Sequence, residues 1–336
     1  MDKIINIMDK IKQKLNAAKA LYNSRKIIKN VYSSLYQYLI LRKPYIKLKL
    51  RNKETLIVPR FLYSEIVHYY YLGYIININK DEIKFKIDNK IYSMAISNFY
   101  SHGICELIGL IKSGWNYKGN YWEKNGIKFK YAYGSVYEVF EEKEDYKFLN
   151  VKDKNVLDIG AFVGDSPIYF ILKGAKRVYA IEPHPSAYKE MLENIKLNNM
   201  KDKIIPINMG ISYEKDYVSI NIMDITQLGK YFFNSNSKGI KIPAGKLSDI
   251  IDKYNIDAQI LKMDCEGCEY DIILNDYDTI KEFDEIGFEY HTYIVDILTR
   301  RLISDLVDIL SKDFECKFIR GGFSEDLGIL HCIRKR

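Results

Sequence analysis

The chain has 336 residues, of which 47% are apolar and 28% charged, with a formal net charge of +7. That length suits two domains, or one large domain with an appendage, and the apolar fraction suffices for a full core. No run of about 18 apolar residues occurs, which excludes a membrane-spanning helix. The nearest candidate, Phe61 to Ile76, is too short and carries Glu65 and His68. The first residues mix charge with apolar side chains and lack the apolar block of a signal peptide. Five cysteines, odd in number and irregularly spaced, fit reduced thiols better than a disulfide framework. The expectation is therefore a cytoplasmic protein, peripheral to a membrane at most.

The net charge hides a division. Residues 1–60 hold fifteen Lys/Arg and three Asp/Glu, or +12, which leaves −5 for the remainder. Residues 1–44 read as a basic amphipathic helix. Ile4, Met8, Ile11, Leu15, Ala18 and Tyr22 recur at steps of four and three, with Lys10, Lys12, Lys14 and Lys19 on other sides. The stripe drifts near Arg25, resumes with Ile28, Tyr32, Leu35 and Leu39, and ends at Pro44. Such a helix packs on its own protein, on a second copy, or on an anionic membrane surface. No nucleic-acid partner is expected, because no recognisable nucleic-acid module accompanies the charge.

Residues 45–135 read as a strand-rich accessory region. The runs YIKLKL, TLIVP, YIININ, IKFKI and KIYSM alternate or carry β-branched residues. SHGICELIGLIKSG reads as a helix ended by Gly114. Trp115, Tyr117, Tyr121 and Trp122 form either a local apolar cluster or a platform for a sugar ring.

The rhythm changes in residues 136–336. NVLDIG, RVYAIEP, KIIPINMGI, AQILKMD and EIGFEYH read as strands. DSPIYFILKG, SAYKEMLENIKLNN and TRRLISDLVDILSK read as helices, and ECKFIR with GILHCIRK as a closing strand pair. Alternation of this kind predicts an α/β fold, a mostly parallel sheet with helices on both faces. Ligands of such sheets bind beyond the C-terminal strand ends, where the strand order reverses.

The candidate ligand residues sit at those ends. Gly160 permits a tight turn after the first strand, and Gly164 permits close approach. Glu182, at the tip of the second strand, lies 22 residues after Gly160, where a carboxylate can accept from both hydroxyls of a ribose. The ligand is thus expected to contain adenosine. A dinucleotide fingerprint would read Gly-x-Gly-x-x-Gly. The loop instead reads Asp158-x-Gly160-x-x-x-Gly164-Asp165. Its two acids disfavour a pyrophosphate and suit a cationic ligand such as S-adenosylmethionine.

From about Lys152 to His291 the chain resembles the FkbM-type family of class I S-adenosylmethionine-dependent methyltransferases. VLDIGAFVGDSPIYF resembles its first motif. AIEPHPSAYKEMLENIKLNN resembles its second, with Glu182, Pro183, Pro185, Leu192, Asn194 and Asn198 in place. LKMDCEGCEYDII is similar to its most diagnostic segment, through Lys262, Asp264, Glu266, Gly267 and Glu269. FEYH resembles a fifth strand that ends in a glutamate and a histidine. The resemblance implies a Rossmann-like fold with a seven-stranded sheet and a cofactor site at Asp158, Gly160, Ala161, Gly164, Asp165, Glu182, Pro183 and Asp264. It also implies O-methylation of a hydroxyl on a carbohydrate, glycolipid or similar acceptor.

Within LKMDCEGCEY the carboxylates, not the cysteines, carry the expected chemistry. Zinc would need about two further ligands beside Cys265 and Cys268, and no second pair follows. The two cysteines read as small apolar fillers. The resemblance implies that Asp264 lies near the methyl donor or acceptor and that Glu266 and Glu269 orient the loop or the substrate. His291 is the first choice of general base, because imidazole titrates near neutrality; Glu289 and Asp264 follow. Asp264, Glu266 and Glu289 would suit a divalent metal, but no metal site is assigned. Two alternatives stand beside the methyltransferase: a dinucleotide-dependent oxidoreductase, and a non-catalytic scaffold docked through its basic helix.

Overall fold

The computed structural model describes residues 2–99, 103–130, 134–142, 146–220, 239–292 and 302–336, with the side chains of 2–11, 97, 98 and 142 left aside. They divide into two compact units. One comprises residues 1–116 and 132–137, the other 117–131 and 138–336. The segment 117–131 therefore belongs with the second unit, although its sequence reads as part of the accessory region.

In the first unit the long helix expected within residues 1–44 is two helices, Asp2–Ser24 and Val31–Leu39. Between them Ile28 is fully buried and pairs with Leu50 as an isolated β-bridge, which interrupts the helix. The expected apolar stripe is split: Leu15, Tyr22, Tyr32 and Leu39 are exposed and Ile28 is buried, while Ala20, Ser24 and Val31, off the stripe, are buried. The side chains of Ile4, Met8, Lys10 and Ile11 lie outside the described residues. Strands Tyr45–Lys49 and Thr55–Pro59 pair antiparallel, as do Ile75–Ile78, Glu82–Ile87 and Lys90–Ala95 in a second small sheet. Arg60–Tyr71, part of the longest apolar run, is a helix that buries Leu62, Tyr63, Ile66 and Val67. Ile104–Lys112 is the expected helix before Gly114; Ser101 and His102 lie outside the described residues. No described helix is long and apolar enough to cross a membrane.

The second unit is a Rossmann-like α/β domain. The strands of its main sheet are β1 (Asn155–Ile159), β2 (Arg177–Ile181), β3 (Ile204–Ile207), β4 (Ile260–Met263), β5 (Glu285–His291), β6 (Phe314–Arg320) and β7 (Leu327–Arg334). They form one sheet in the order β3-β2-β1-β4-β5-β7-β6. The first five run parallel and β7 runs antiparallel to both neighbours. Strands β1 and β4 are buried at every residue, which is why they read as mainly apolar rather than alternating, with Asp158 and Lys262 the charged exceptions. The described helices of eight or more residues in this unit are α1 (Asp165–Leu172), α2 (Pro185–Leu197), α3 (Leu247–Tyr254), α4 (Cys268–Asn275) and α5 (Ile303–Leu310). The opening of the last predicted helix, Thr299 to Arg301, lies outside the described residues. The strand order reverses between β1 and β4, so a crevice site falls beyond those two strand ends.

Ahead of the sheet, the hairpin Trp122–Lys124 and Ile127–Phe129 is tied to α2. Lys128 N–H donates to Asn198 Oδ1 and Lys130 N–H to Asn194 Oδ1, each at 2.9 Å. Trp115 and Trp122 are almost wholly buried, so both are core side chains and not an exposed platform for a sugar.

Candidate active site

The turn after β1 is pressed against the end of β4. Gly160 has φ +82, and a Cβ there would overlap the carbonyl oxygen of Asp264. Only glycine meets both demands. Lys262, in the middle of β4, is buried and reaches across to β1. Its Nζ lies 2.9 Å from Asp158 Oδ1, donates to Gly160 O at 2.8 Å, and stands 4.0 Å from Asp264 Oδ2. Burial pulls this ammonium down, but Asp158 and then Asp264 outweigh it, and the group stays charged. Ser166 Oγ donates to Asp158 Oδ2 at 2.6 Å.

This corrects the reading of the loop acids. The Asp158 carboxylate is spent on Lys262 and Ser166 and offers no negative charge to a cationic ligand. Asp165 is buried at the start of α1, where its Oδ1 accepts from Ser166 N–H at 2.9 Å. Ala161 is buried with its N–H on Ile181 O at 3.0 Å, so it contributes backbone shape only. Gly164, φ +86, lies against Met191 of α2.

Glu182 ends β2 as expected and is buried. Its Oε2 accepts from Phe162 N–H at 2.9 Å and its Oε1 from His184 N–H at 2.7 Å. Burial pushes the carboxyl up to about 8 against the opposing pull of those two amides. Each oxygen keeps one further lone pair, so the group can hold the turn and still accept from ligand hydroxyls. Asn208 Nδ2 donates to the carbonyls of Glu182 and Pro183 at 2.8 and 3.1 Å, fixing the strand tip. His184 caps α2 by accepting from Ser186 N–H and Ala187 N–H, and burial drives it down to about 4, so it is neutral.

A second set of carboxylates gathers beyond β4 and β5. Asp264 is half-buried and accepts from Tyr146 Oη at 2.8 Å. Glu266, φ +57, and Gly267, φ +109, make the tight turn into α4. Glu269 is fully buried: Oε1 accepts from Cys265 N–H and Oε2 from Gly267 N–H, both at 2.8 Å. It therefore shapes the turn and is not positioned to bind an acceptor, contrary to its assignment as a substrate residue. Glu266 Oε2, Glu269 Oε1 and Glu289 Oε2 lie 3.8, 3.6 and 3.7 Å from the ring nitrogens of His291. Burial alone would lower His291, but Glu269 first, then Asp264 and Glu266, hold it up at about 10. This overturns His291 as the general base, since an imidazolium has no lone pair to accept a proton. Arg320, on β6, pairs with Glu289. One donor atom each from Asp264, Glu289 and His291 falls within 4.8 Å of the others, a spacing that suits a cation; in the first unit Glu65, Cys105 and Glu106 do the same.

The cysteines differ most from expectation. Cys265 and Cys268 are joined by a disulfide across the turn, and Cys316 and Cys332 by another between β6 and β7. Reduced thiols were the sequence expectation; only Cys105 is free. The sequence reading gave no separate role to Lys262, Ser166, Tyr146 or Arg320. Lys262 had a signal: a lysine flanked by apolar residues in a buried strand needs a buried acid as partner.

Residues 158–318 match the family model described as the methyltransferase FkbM domain. Over these residues, just under half of its length, the chain is similar to the FkbM methyltransferase family. S-adenosylmethionine is the cofactor of the class I methyltransferases, whose Rossmann-like fold this domain has. Among curated relatives, the domain is similar to the tRNA(Phe) (4-demethylwyosine(37)-C(7)) aminocarboxypropyltransferase of Pyrococcus horikoshii, 30% identical over 109 residues, which are 32% of this chain and 38% of the relative. It is also similar to a tRNA (guanine(37)-N(1))-methyltransferase of Methanocaldococcus jannaschii, 42% identical over 53 residues, 16% of each chain. The matches span less than half the length of these curated relatives. Among solved structures, the O-methyltransferase from Bacillus cereus in complex with SAH aligns with 11% identity and a TM-score of 0.35, covering 54% of this chain and 74% of that one.

Proposed function

We propose that this chain is an S-adenosylmethionine-dependent O-methyltransferase whose acceptor is a hydroxyl of a carbohydrate, glycolipid or similar molecule. The observation that carries the reading is the pairing, at the reversal of strand order, of a buried Glu182 at the β2 tip with a half-exposed Asp264 at the β4 tip. Glu182, Pro183, Gly160, Ala161, Gly164 and the Asp264 backbone would line the cofactor; Asp158 and Asp165 support the loop from behind. Bound there, S-adenosylmethionine supplies an electrophilic methyl group. The residues of this chain orient the acceptor and take its proton. Asp264 is the proton acceptor in this reading, with Glu289, 3.7 Å from His291, the second candidate. His291, as an imidazolium, balances the charge of the surrounding carboxylates and holds them apart. A positioned base of this kind contributes about 10²–10⁴-fold.

The test is methyl transfer from labelled S-adenosylmethionine to a panel of hydroxylated glycans and glycolipids. Asp264→Asn is expected to lower the rate by about 10²–10⁴-fold while leaving S-adenosylhomocysteine affinity within a few-fold. Full activity in Asp264→Asn removes it as the base.

An RNA acceptor is the second reading. The names of the two curated relatives describe tRNA-modifying enzymes, and residues 1–60 carry +12. Transfer to RNA in the same panel, with none to glycans, decides for it. The exposed Leu15, Tyr22, Tyr32 and Leu39 beside those basic residues support docking of residues 1–44 on an anionic membrane or a second copy.

A further inference from the structure

We propose that Cys265 and Cys268 are a reversible redox site, a dithiol–disulfide couple that reacts with a small thiol and sets the order of the turn carrying Asp264 and Glu266. The disulfide spans the turn at the proposed site, with Asp264 directly before it and Glu269 directly after. Glu266 and Gly267, between the two sulfurs, are both left-handed, at φ +57 and +109. A non-glycine residue persists in that region only when its surroundings hold it there. Two devices do so: the Glu269 carboxylate, which accepts from the amides of Cys265 and Gly267, and the disulfide itself. Opening the disulfide leaves one.

The two sulfurs are not equivalent. Cys265 is half-buried on the turn, whereas Cys268 is 8% exposed and is the first residue of α4. A small thiolate reaches the Cys265 sulfur first. The bond that forms is a mixed disulfide at Cys265. The bond that breaks sends its electron pair to the Cys268 sulfur, a good leaving group at a helix N-terminus, which then takes a proton. A second thiol attacks the mixed disulfide and releases the Cys265 thiol. Two thiols are oxidised to one disulfide as the protein disulfide is reduced by two electrons. The reverse reaction needs a small-molecule disulfide.

Cys316–Cys332 is the internal control. It joins directly paired residues of β6 and β7, and the strand ladder continues on both sides of it. Opening that bond leaves the local backbone held by its own hydrogen bonds.

The experiment uses the full chain purified without reductant, with and without dithiothreitol under native conditions. Alkylation is read by mass, hydrogen exchange over residues 261–270, and S-adenosylhomocysteine affinity by calorimetry. The expected result with dithiothreitol is alkylation of Cys265 and Cys268 beyond that of Cys105. Exchange at the Cys265 and Gly267 amides rises by roughly tenfold or more, and affinity falls several-fold. Cys316→Ser/Cys332→Ser keeps the whole response, and Cys265→Ser shows the reduced behaviour without reductant. Three results each overturn the proposal: both cysteines alkylated before reduction, a bond that native dithiothreitol does not open, or an opened bond with unchanged exchange. Only the affinity readout rests on the methyltransferase reading. If neither form binds S-adenosylhomocysteine, that reading fails, and exchange still decides the redox site.

Discussion

Two sets of carboxylates lie along the same edge of the sheet, and they do opposite things. At β1 and β2, Asp158 and Glu182 are buried and engaged by the protein's own groups, a lysine and a serine for one and two backbone amides for the other. At β4 and β5, Asp264, Glu266 and Glu289 are only partly buried and surround one histidine. The first set holds the shape of the turn after β1; the second, in the proposed reading, is where an acceptor would be met. Identical residue types at equivalent strand ends thus acquire structural or chemical roles according to which cations share their burial.

The sharpest way to break this comparison is to remove the cation from the first set. Lys262→Met leaves Asp158 charged and buried without its partner and is expected to cost about 3–5 kcal/mol in urea denaturation. Adding Asp158→Asn should recover much of that loss. A cost below about 1 kcal/mol would show that the pair is not the buried ion pair described.

The second set responds to pH. His291 is held up at about 10, so its charge stabilises the fold fully below the ordinary imidazole value of about 6.5, and that contribution is lost as pH rises through about 10. The expected loss is on the order of 5 kcal/mol across that window, and His291→Gln should flatten the slope of stability against pH there. An unchanged slope in the variant removes His291 from its carboxylate cage.

The smallest effect concerns ligand contact by the first set. Glu182→Ala is expected to weaken S-adenosylhomocysteine binding by about 1–3 kcal/mol through lost hydroxyl acceptance and a loosened turn. Glu182→Gln, which keeps some of both, should lose less. Unchanged affinity in both variants would detach Glu182 from the cofactor.

Much of the second unit was legible in the sequence. β1, β2 and β4 announce themselves as short, mainly apolar runs closed by turn residues, and Gly160 and Glu182 fall at their tips. What the sequence did not disclose depends on partners distant in the chain. Asp158 and Lys262 are 104 positions apart, so the loop acid looked available to a ligand. His291 looked neutral because three of the carboxylates around it come from the β4–α4 segment, which meets β5 only in the fold. The Cys265–Cys268 bond follows from the tight turn at Glu266–Gly267, which spacing alone does not reveal. In the N-terminal stretch Leu15, Tyr22, Tyr32 and Leu39 of the apolar stripe face outward, and the helix breaks where Ile28 is buried and pairs with Leu50.

The measurement that tests the central claim most directly is titration calorimetry of the full chain with S-adenosylmethionine and S-adenosylhomocysteine, and with NADH in parallel. The account predicts binding of the first two at about micromolar Kd, near −8 kcal/mol, and no binding of NADH. NADH binding alone, or no binding of any of the three by a folded protein, would contradict it.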